Sequence, residues 1–197
     1  MNQIACEGDR DIVGASFTLS AMSDDYVNII LNAINETDTS KVWLHTDDVT
    51  TTIRGKIAHV FDITQAIFLH ASQTGEHISF QSTYSIGCPG DSDADVFMAE
   101  DDTRQNEEKV KDVKQYVAAK FSLYPLTQGH YMDTIYGQIE AMKEFVDVKH
   151  AHYSTYLSGD TLSVFRGLES AFRATVASGS SHTVMTVSLS SNSPSHK

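Results

Sequence analysis

Phe17-Thr18-Leu19-Ser20 returns 104 residues later as Phe121-Ser122-Leu123-Tyr124, and this recurrence decides the reading of the chain. The same offset pairs Gly55 with Gly159, Val60-Phe61 with Val164-Phe165, and Phe68 with Phe172. Near the end His77 pairs with His182 at 105, so one residue has been inserted between them. A spacing held this long is a duplication, and it exceeds the period of stacked solenoid repeats, so the copies are domain-sized.

Working outward from Phe17, residues 15–20 alternate Ala15, Phe17 and Leu19 with Ser16, Thr18 and Ser20. Period-two alternation marks a strand with one covered face. A helix follows, with Ser23 as its expected N-cap and Asp24 and Asp25 in its first turn. Its apolar stripe is Tyr26, Ile29, Ile30 and Ala33. The β-rich stretch 41–54 is broken at Thr46-Asp47-Asp48. A second helix over 58–70 buries Val60, Ile63, Ile67 and Phe68, and a strand over 77–86 closes the half. The second half predicts the same series: a strand at 119–124, a helix at 130–143, strands within 145–157, a helix at 162–176 and a strand at 182–190. The order βαββαβ is the split ferredoxin-like unit. The expected fold class is therefore α+β, a tandem of two ferredoxin-like (ACT-like) βαββαβ domains with antiparallel sheets. Helices on one face leave the other free to pack. Two such sheets invite side-by-side or face-to-face pairing, within the chain or in a dimer.

The expected organisation is a leader over 1–13, a first repeat over 14–91, an acidic linker with a short helix over 92–116, and a second repeat over 117–197. The linker runs from Asp93, Asp95, Asp101 and Asp102 through Glu107 and Glu108 to Lys109, Lys111 and Lys114, an order that suits a helix dipole. It reads as a solvated charged face.

Composition narrows the function classes. With 26 acids against 14 bases the formal charge is −12, which argues against nucleic acid or an anionic membrane as partner. Hydrophobic residues make up 41%, enough for a real core. No apolar run approaches the roughly 20 residues of a membrane span. The acidic start lacks the features of a signal peptide. Cys6 and Cys88 do not make a disulfide framework and read as free thiols. A cytoplasmic location is expected.

In the strand before Gly55, Val49, Thr51 and Ile53 share a face whose apolar ends make it the helix side. Thr51 is thus a polar residue aimed inward, and its copy is Thr155, between Tyr153 and Leu157. A buried hydroxyl requires a hydrogen-bond partner. For one Thr a backbone carbonyl suffices; recurrence in both repeats points to a pocket between sheet and helices. On the closing strands, Phe80, Ser82 and Tyr84 are expected to face the helices in the first half, and their counterparts in the second are Met185, Val187 and Leu189. Ser82 and Tyr84 would give the first pocket polar groups that the second lacks, so the two sites should be unequal.

Other signals are weaker. His150 and His152 lack the further ligands of a metal site and read as exposed histidines. Asp47 and Asp48, adjacent on a strand, point opposite ways and read as turn-forming rather than as a catalytic pair. Gly87-Cys88-Pro89-Gly90-Asp91 is a turn, without the Lys-Ser/Thr of a phosphate-binding loop.

Several segments carry a resemblance: Thr37-Asp38-Thr39-Ser40-Lys41-Val42-Trp43, Val60-Phe61-Asp62, Leu69-His70-Ala71, Ser85-Ile86-Gly87-Cys88-Pro89-Gly90-Asp91, Phe121-Ser122-Leu123-Tyr124-Pro125 and Asn192-Ser193-Pro194-Ser195. Together they resemble the YkoF family of thiamin/hydroxymethylpyrimidine-binding proteins over nearly the whole chain. The resemblance implies a homodimer with one thiamin or hydroxymethylpyrimidine site per repeat. It implies a role in salvage or transport of the pyrimidine moiety, linked to a transporter but without membrane insertion, cofactor or catalysis. Carried over, the ligand contacts are Leu19 and Thr51 in the first site and Thr155 in the second, with Leu123 following from the repeat. Thr155 stands where the family can have Ser, which keeps the hydroxyl. Ser20-Ala21-Met22 stands where it can have Tyr-Pro-Met, so the wall of the first site is expected to be looser. An aminopyrimidine offers an amine donor and ring-nitrogen acceptors that a strand edge and a Thr hydroxyl can meet. Its cationic thiazolium partner needs an aromatic ring or an acid. The competing readings are an enzyme, which would need a titratable pair where these pockets offer hydroxyls, and a small-ligand sensor acting on a protein partner.

Overall fold

Residues 12–87, 92–126, 131–180 and 182–196 are described by a computed structural model of the protein. The leader up to residue 11, the turn around Cys88, and the expected helix start at His130 lie outside them.

The first repeat is β1 (Val13–Ala21), α1 (Tyr26–Glu36), β2 (Trp43–Thr46), β3 (Thr51–Gly55), α2 (Ile57–Ser72) and β4 (Ile78–Ile86). The strap between repeats holds α3 (Glu107–Val110). The second repeat is β5 (Tyr116–Pro125), α4 (Tyr131–Ala141), β6 (Asp147–Ala151), β7 (Ser154–Asp160), α5 (Thr161–Ala177) and β8 (Thr183–Ser191). Both are ferredoxin-like βαββαβ units, as the alternation and helix stripes predict. Helix α1 starts later than expected. Ser23 accepts from the Asp25 N–H at 3.3 Å in a turn ahead of the helix, so both aspartates precede its first turn.

The two sheets are one sheet. Its order is β2-β3-β1-β4-β8-β5-β7-β6, antiparallel throughout, and the repeats meet where β4 pairs β8 from Ile78↔Ser191 to Ile86↔Thr183. Of the arrangements the sequence left open, the edge-to-edge one is found. Each repeat thereby covers the other's exposed edge. At one end of the seam Ser72 Oγ lies 2.7 Å from Ser191 Oγ, and Asn192 donates to the Ser72 and Glu76 carbonyls at 3.0 Å.

All four long helices lie on one face, with α2 and α5 packed against each other at the centre. The core runs across the repeat boundary. The Phe61 and Tyr84 rings stack at 4.4 Å, and both tilt against Phe172 of the second repeat; Phe68 packs on Phe80 and on Phe165. Gly55 and Gly159 occur twice for a steric reason. A Cβ at either would press on Val42 or Val146 at 3.2 Å, where the chain passes alongside.

The strap adds to the sequence reading. Its charged residues Asp95, Asp101, Asp102, Glu108, Lys109, Lys111 and Lys114 are exposed, as expected, but the strap is not solvated all round: Ala94, Asn106 and Val110 are buried. Asp62, on the buried helix α2, accepts through Oδ2 from the backbone N–H groups of Gln105 and Asn106 and from Asn106 Nδ2, at 2.9–3.0 Å. Asn106 also bridges to the Asp38 backbone. Arg104 pairs with Glu169 of α5, and Lys41 with Asp101. Charge order along the chain could not reveal this, because the acid that holds the strap lies on another helix.

Two predictions follow from this packing. Phe172→Ala should cost about 3–5 kcal/mol. Because the core is shared, the fluorescence transition of Trp43, in the other repeat, should shift in urea together with far-UV circular dichroism; separate transitions would show independent repeats. Asp62→Ala strands three donors and should cost about 2–4 kcal/mol. Burial raises the Asp62 pKa above 3.8 despite its hydrogen bonds. Its ionisation therefore lowers stability as pH rises from 3.8 through the raised value. Asp62→Asn, which cannot ionise, should gain on wild type across that window in pH-dependent urea melts.

Candidate functional site

Strand β1 outruns one of its neighbours. Its pairing with β3 ends at Phe17↔Thr51, while its pairing with β4 continues to Ala21↔Ile78. Thr18 to Ala21 therefore keep a strand on one side only. Strand β5 repeats the feature: pairing with β7 ends at Phe121↔Thr155, and pairing with β8 continues to Pro125↔Thr183. An overhang of this kind presents backbone N–H and C=O groups with no strand opposite, and such groups seek partners.

A recess lies beside each overhang. The first, of about 540 Å³, is walled by Phe17 and Leu19 of β1, by Tyr26, Ile30 and Ile34 of α1, and by the β2–β3 hairpin tip from Thr46 to Thr51. The second, of about 390 Å³, is walled by Phe121 and Leu123 of β5, by Ile135, Tyr136 and Ile139 of α4, and by His150, Tyr153 and Thr155 at the β6–β7 tip. They exist because the first helix of each repeat sits lightly on its sheet. Only Ile29 and Ala33 of α1 are buried, and no residue of α4 is.

The hairpin tips match in register and differ in chemistry. In the first, Thr46 Oγ1 and Thr51 Oγ1 lie 3.0 Å apart, which holds the Thr51 hydroxyl at the recess. Asp47 closes the turn: its N–H donates to Thr50 O at 3.0 Å, and its Oδ1 accepts from the Val49 and Thr50 N–H groups at 2.7 and 2.8 Å. The Thr50 and Val49 N–H groups hold the Asp47 carboxyl below the ordinary value, so it is an anion at the rim. In the second, His150 takes the place of Thr46 opposite Thr155. The turn is His152-Tyr153, and Ser122 Oγ donates to the Tyr153 carbonyl at 3.3 Å. Tyr153 has φ 64°, a left-handed conformation unfavourable for an aromatic residue, and its side chain is fully exposed.

Of the residues singled out in the sequence, Leu19 and Thr51 come together in the first recess, and Leu123 and Thr155 in the second. Ser82 and Tyr84 border neither. The Tyr84 hydroxyl donates to Thr64 Oγ1 at 2.9 Å, inside the core between β4 and α2. Ser82 is buried in the same layer, and its Oγ makes no hydrogen bond. The reason is position: β4 is central and roofed by α2, so its inward side chains are core. The inequality expected from Ser82 and Tyr84 arises instead at the hairpin tips. Asp47 forms the turn, as the sequence predicts, and together with Asp48 it also lines the first recess, which their adjacency in the chain does not show. His150 is exposed as expected, yet lines a recess. Among the described residues, no group of three His, Cys, Asp or Glu could hold a metal ion. Nor is any helix among them long and apolar enough to cross a membrane.

Fold and recesses together define a class: an α+β protein of tandem ferredoxin-like repeats, with a pocket at the same place in each. The profile of the YKOF-related Family matches residues 12–91 and 116–196, the two repeats. The chain belongs to this family. It is 42% identical over 191 residues, 96% of this chain and 95% of the other, to a Bacillus subtilis (strain 168) protein named "Putative HMP/thiamine-binding protein YkoF".

The backbone of Tyr153 supplies a prediction. Tyr153→Asn, which tolerates the left-handed region, should stabilise the protein by about 1 kcal/mol in urea melts. An unchanged or lowered midpoint would show that the tyrosine side chain itself supports the fold.

Proposed function

We propose that the chain binds thiamin or its hydroxymethylpyrimidine moiety, one molecule per repeat, without turning it over. The observation that carries this reading is the paired overhang of β1 and β5, each beside an inward Thr hydroxyl and an apolar wall. A flat heterocycle with a donor and an acceptor on one edge complements an open strand edge. Its faces fit between Leu19 and Ile30, or between Leu123 and Ile135. The name of the Bacillus subtilis relative supports the same ligand class.

Besides hydroxyls and apolar groups, the first recess is lined by Asp47 and Asp48 and the second by His150, and neither described lining sets a carboxylate beside a histidine. This supports binding rather than catalysis. The wider reading is a cytoplasmic carrier in thiamin salvage that passes its ligand to or from a transporter. In that reading two copies pair through the uncovered sheet face. Among the described residues the long helices occupy only the other face, and the open one carries a shallow recess of about 340 Å³ bordered by Ser16, Thr18, Gln81, Thr83, Thr186 and Ser188.

Isothermal titration with thiamin and with hydroxymethylpyrimidine tests the core of this proposal. Two binding events of unequal strength are expected. Thr51→Val with Thr155→Val should weaken both by about tenfold, the loss of one hydrogen bond at each site. Absence of heat from both ligands would sink the reading, and conversion of thiamin to a product, followed by chromatography, would sink its non-catalytic part.

A further inference from the structure

The two recesses are the same pocket in two chemical versions. Floor, strand overhang and inward hydroxyl recur: Leu19 and Leu123, Ile30 and Ile135, Thr51 and Thr155. What differs is the hairpin tip that contributes to the lining. The first tip places Asp47 and Asp48 in the pocket lining, while the lining of the second includes no carboxylate and has Tyr153 and His150 instead. The Asp47 carboxylate is fixed there, because its Oδ1 is held by two backbone N–H groups of its own turn. The first recess is also the larger, by about 540 to 390 Å³, which leaves room beyond one ring at its floor.

Resting on the binding reading above, we propose that the first pocket selects ligands carrying a positive charge beyond the ring seated at its floor, and that Asp47 and Asp48 are the residues that select. The second pocket holds the same ring by contact, with the exposed Tyr153 in its lining, and distinguishes charged from neutral ligands by aromatic contact. Thiamin and its pyrimidine alcohol differ in this respect. Thiamin carries a permanently cationic thiazolium, and above neutral pH the pyrimidine alcohol has no charge. The pockets therefore rank the two ligands differently, and one chain can hold a charged and a neutral molecule at once.

The physics makes the pockets separable. Attraction between exposed charges is screened as ionic strength rises, with a Debye length of about 30 Å at 0.01 M and about 3 Å at 1 M salt. A ring contact with a cation acts at touching distance and is screened far less.

The readout is the ratio of thiamin affinity to hydroxymethylpyrimidine affinity at each site, by calorimetry above neutral pH. In wild type, raising salt from about 0.01 to about 1 M should shrink this ratio about fivefold at one site and leave it nearly constant at the other. Asp47→Asn with Asp48→Asn should produce the same shrinkage at low salt and remove the salt dependence. Asparagine at position 47 retains the side-chain oxygen that caps the turn. Tyr153→Gly identifies the second site as the one it weakens. Equal salt dependence of the ratio at both sites, or none at either, overturns the proposal, and this arm needs no variant to fold. A ratio that ignores the double Asn substitution overturns it as well. In each of these cases heat of binding is still seen, whereas failure of the underlying binding reading would abolish the heat itself.

Discussion

The structure hangs on the seam between β4 and β8. Nine residues of each strand pair, from Ile78↔Ser191 to Ile86↔Thr183, and the junction converts two four-stranded sheets into one of eight. A ferredoxin-like repeat alone would expose β4 as a long edge strand, with Ile78, Phe80 and Tyr84 on its inner face. Backbone groups without partners and an uncovered apolar face are both costly. The duplication answers both at once. The edge of each repeat is the other's partner, and the same pairing brings α2 and α5 together over it, so that Phe61, Tyr84 and Phe172 form one aromatic cluster.

Because the centre is so fully committed, freedom is left only at the periphery. Helix α2 is buried nearly all round, by the sheet, α1, α5 and the strap, while α1 and α4 on the outside bury little. That gradient produces the pockets. A helix that rests on its sheet by two or fewer buried residues leaves space beneath it, and β1 and β5 extend into that space beyond their outer neighbours. The strap belongs to the committed centre. Asn106 and Asp62 tie it to the first repeat, and Arg104 and Glu169 tie it to the second, so the connection between repeats also cross-links their helices.

Duplication fixes the pocket scaffold twice and leaves the hairpin tips free to diverge. A tip residue contributes little to the core, so Asp48 and Val49 on one side and His152 and Tyr153 on the other vary without disturbing the sheet. The left-handed Tyr153 fits this view. A conformation that glycine or asparagine would adopt more easily is occupied by a fully exposed aromatic ring at a pocket mouth.

The sequence alone determined the architecture of each repeat, and part of the lining of each recess. Period-two alternation in 15–20 and its copy, the stripes of the helices, and an offset of 104 that becomes 105 near the end are properties of the chain itself, set by which side chains can share a covered face. Thr51 and Thr155 were legible for the same reason: a polar residue on an apolar face, twice, is visible in the string. The tertiary structure decided what depends on neighbours distant in sequence. Edge-to-edge pairing of β4 with β8 could not be told from face-to-face stacking, since alternation shows which residues share a face and not which strand lies along an edge. Whether an inward residue meets a helix or a recess depends on how closely that helix settles, which is why Tyr84 is core and Leu19 lines a pocket although both alternate correctly. The burial of Asp62 beside Asn106, 44 positions away, and the meeting of Asp47 and Leu19 at one recess are proximities in space that no periodicity along the chain encodes.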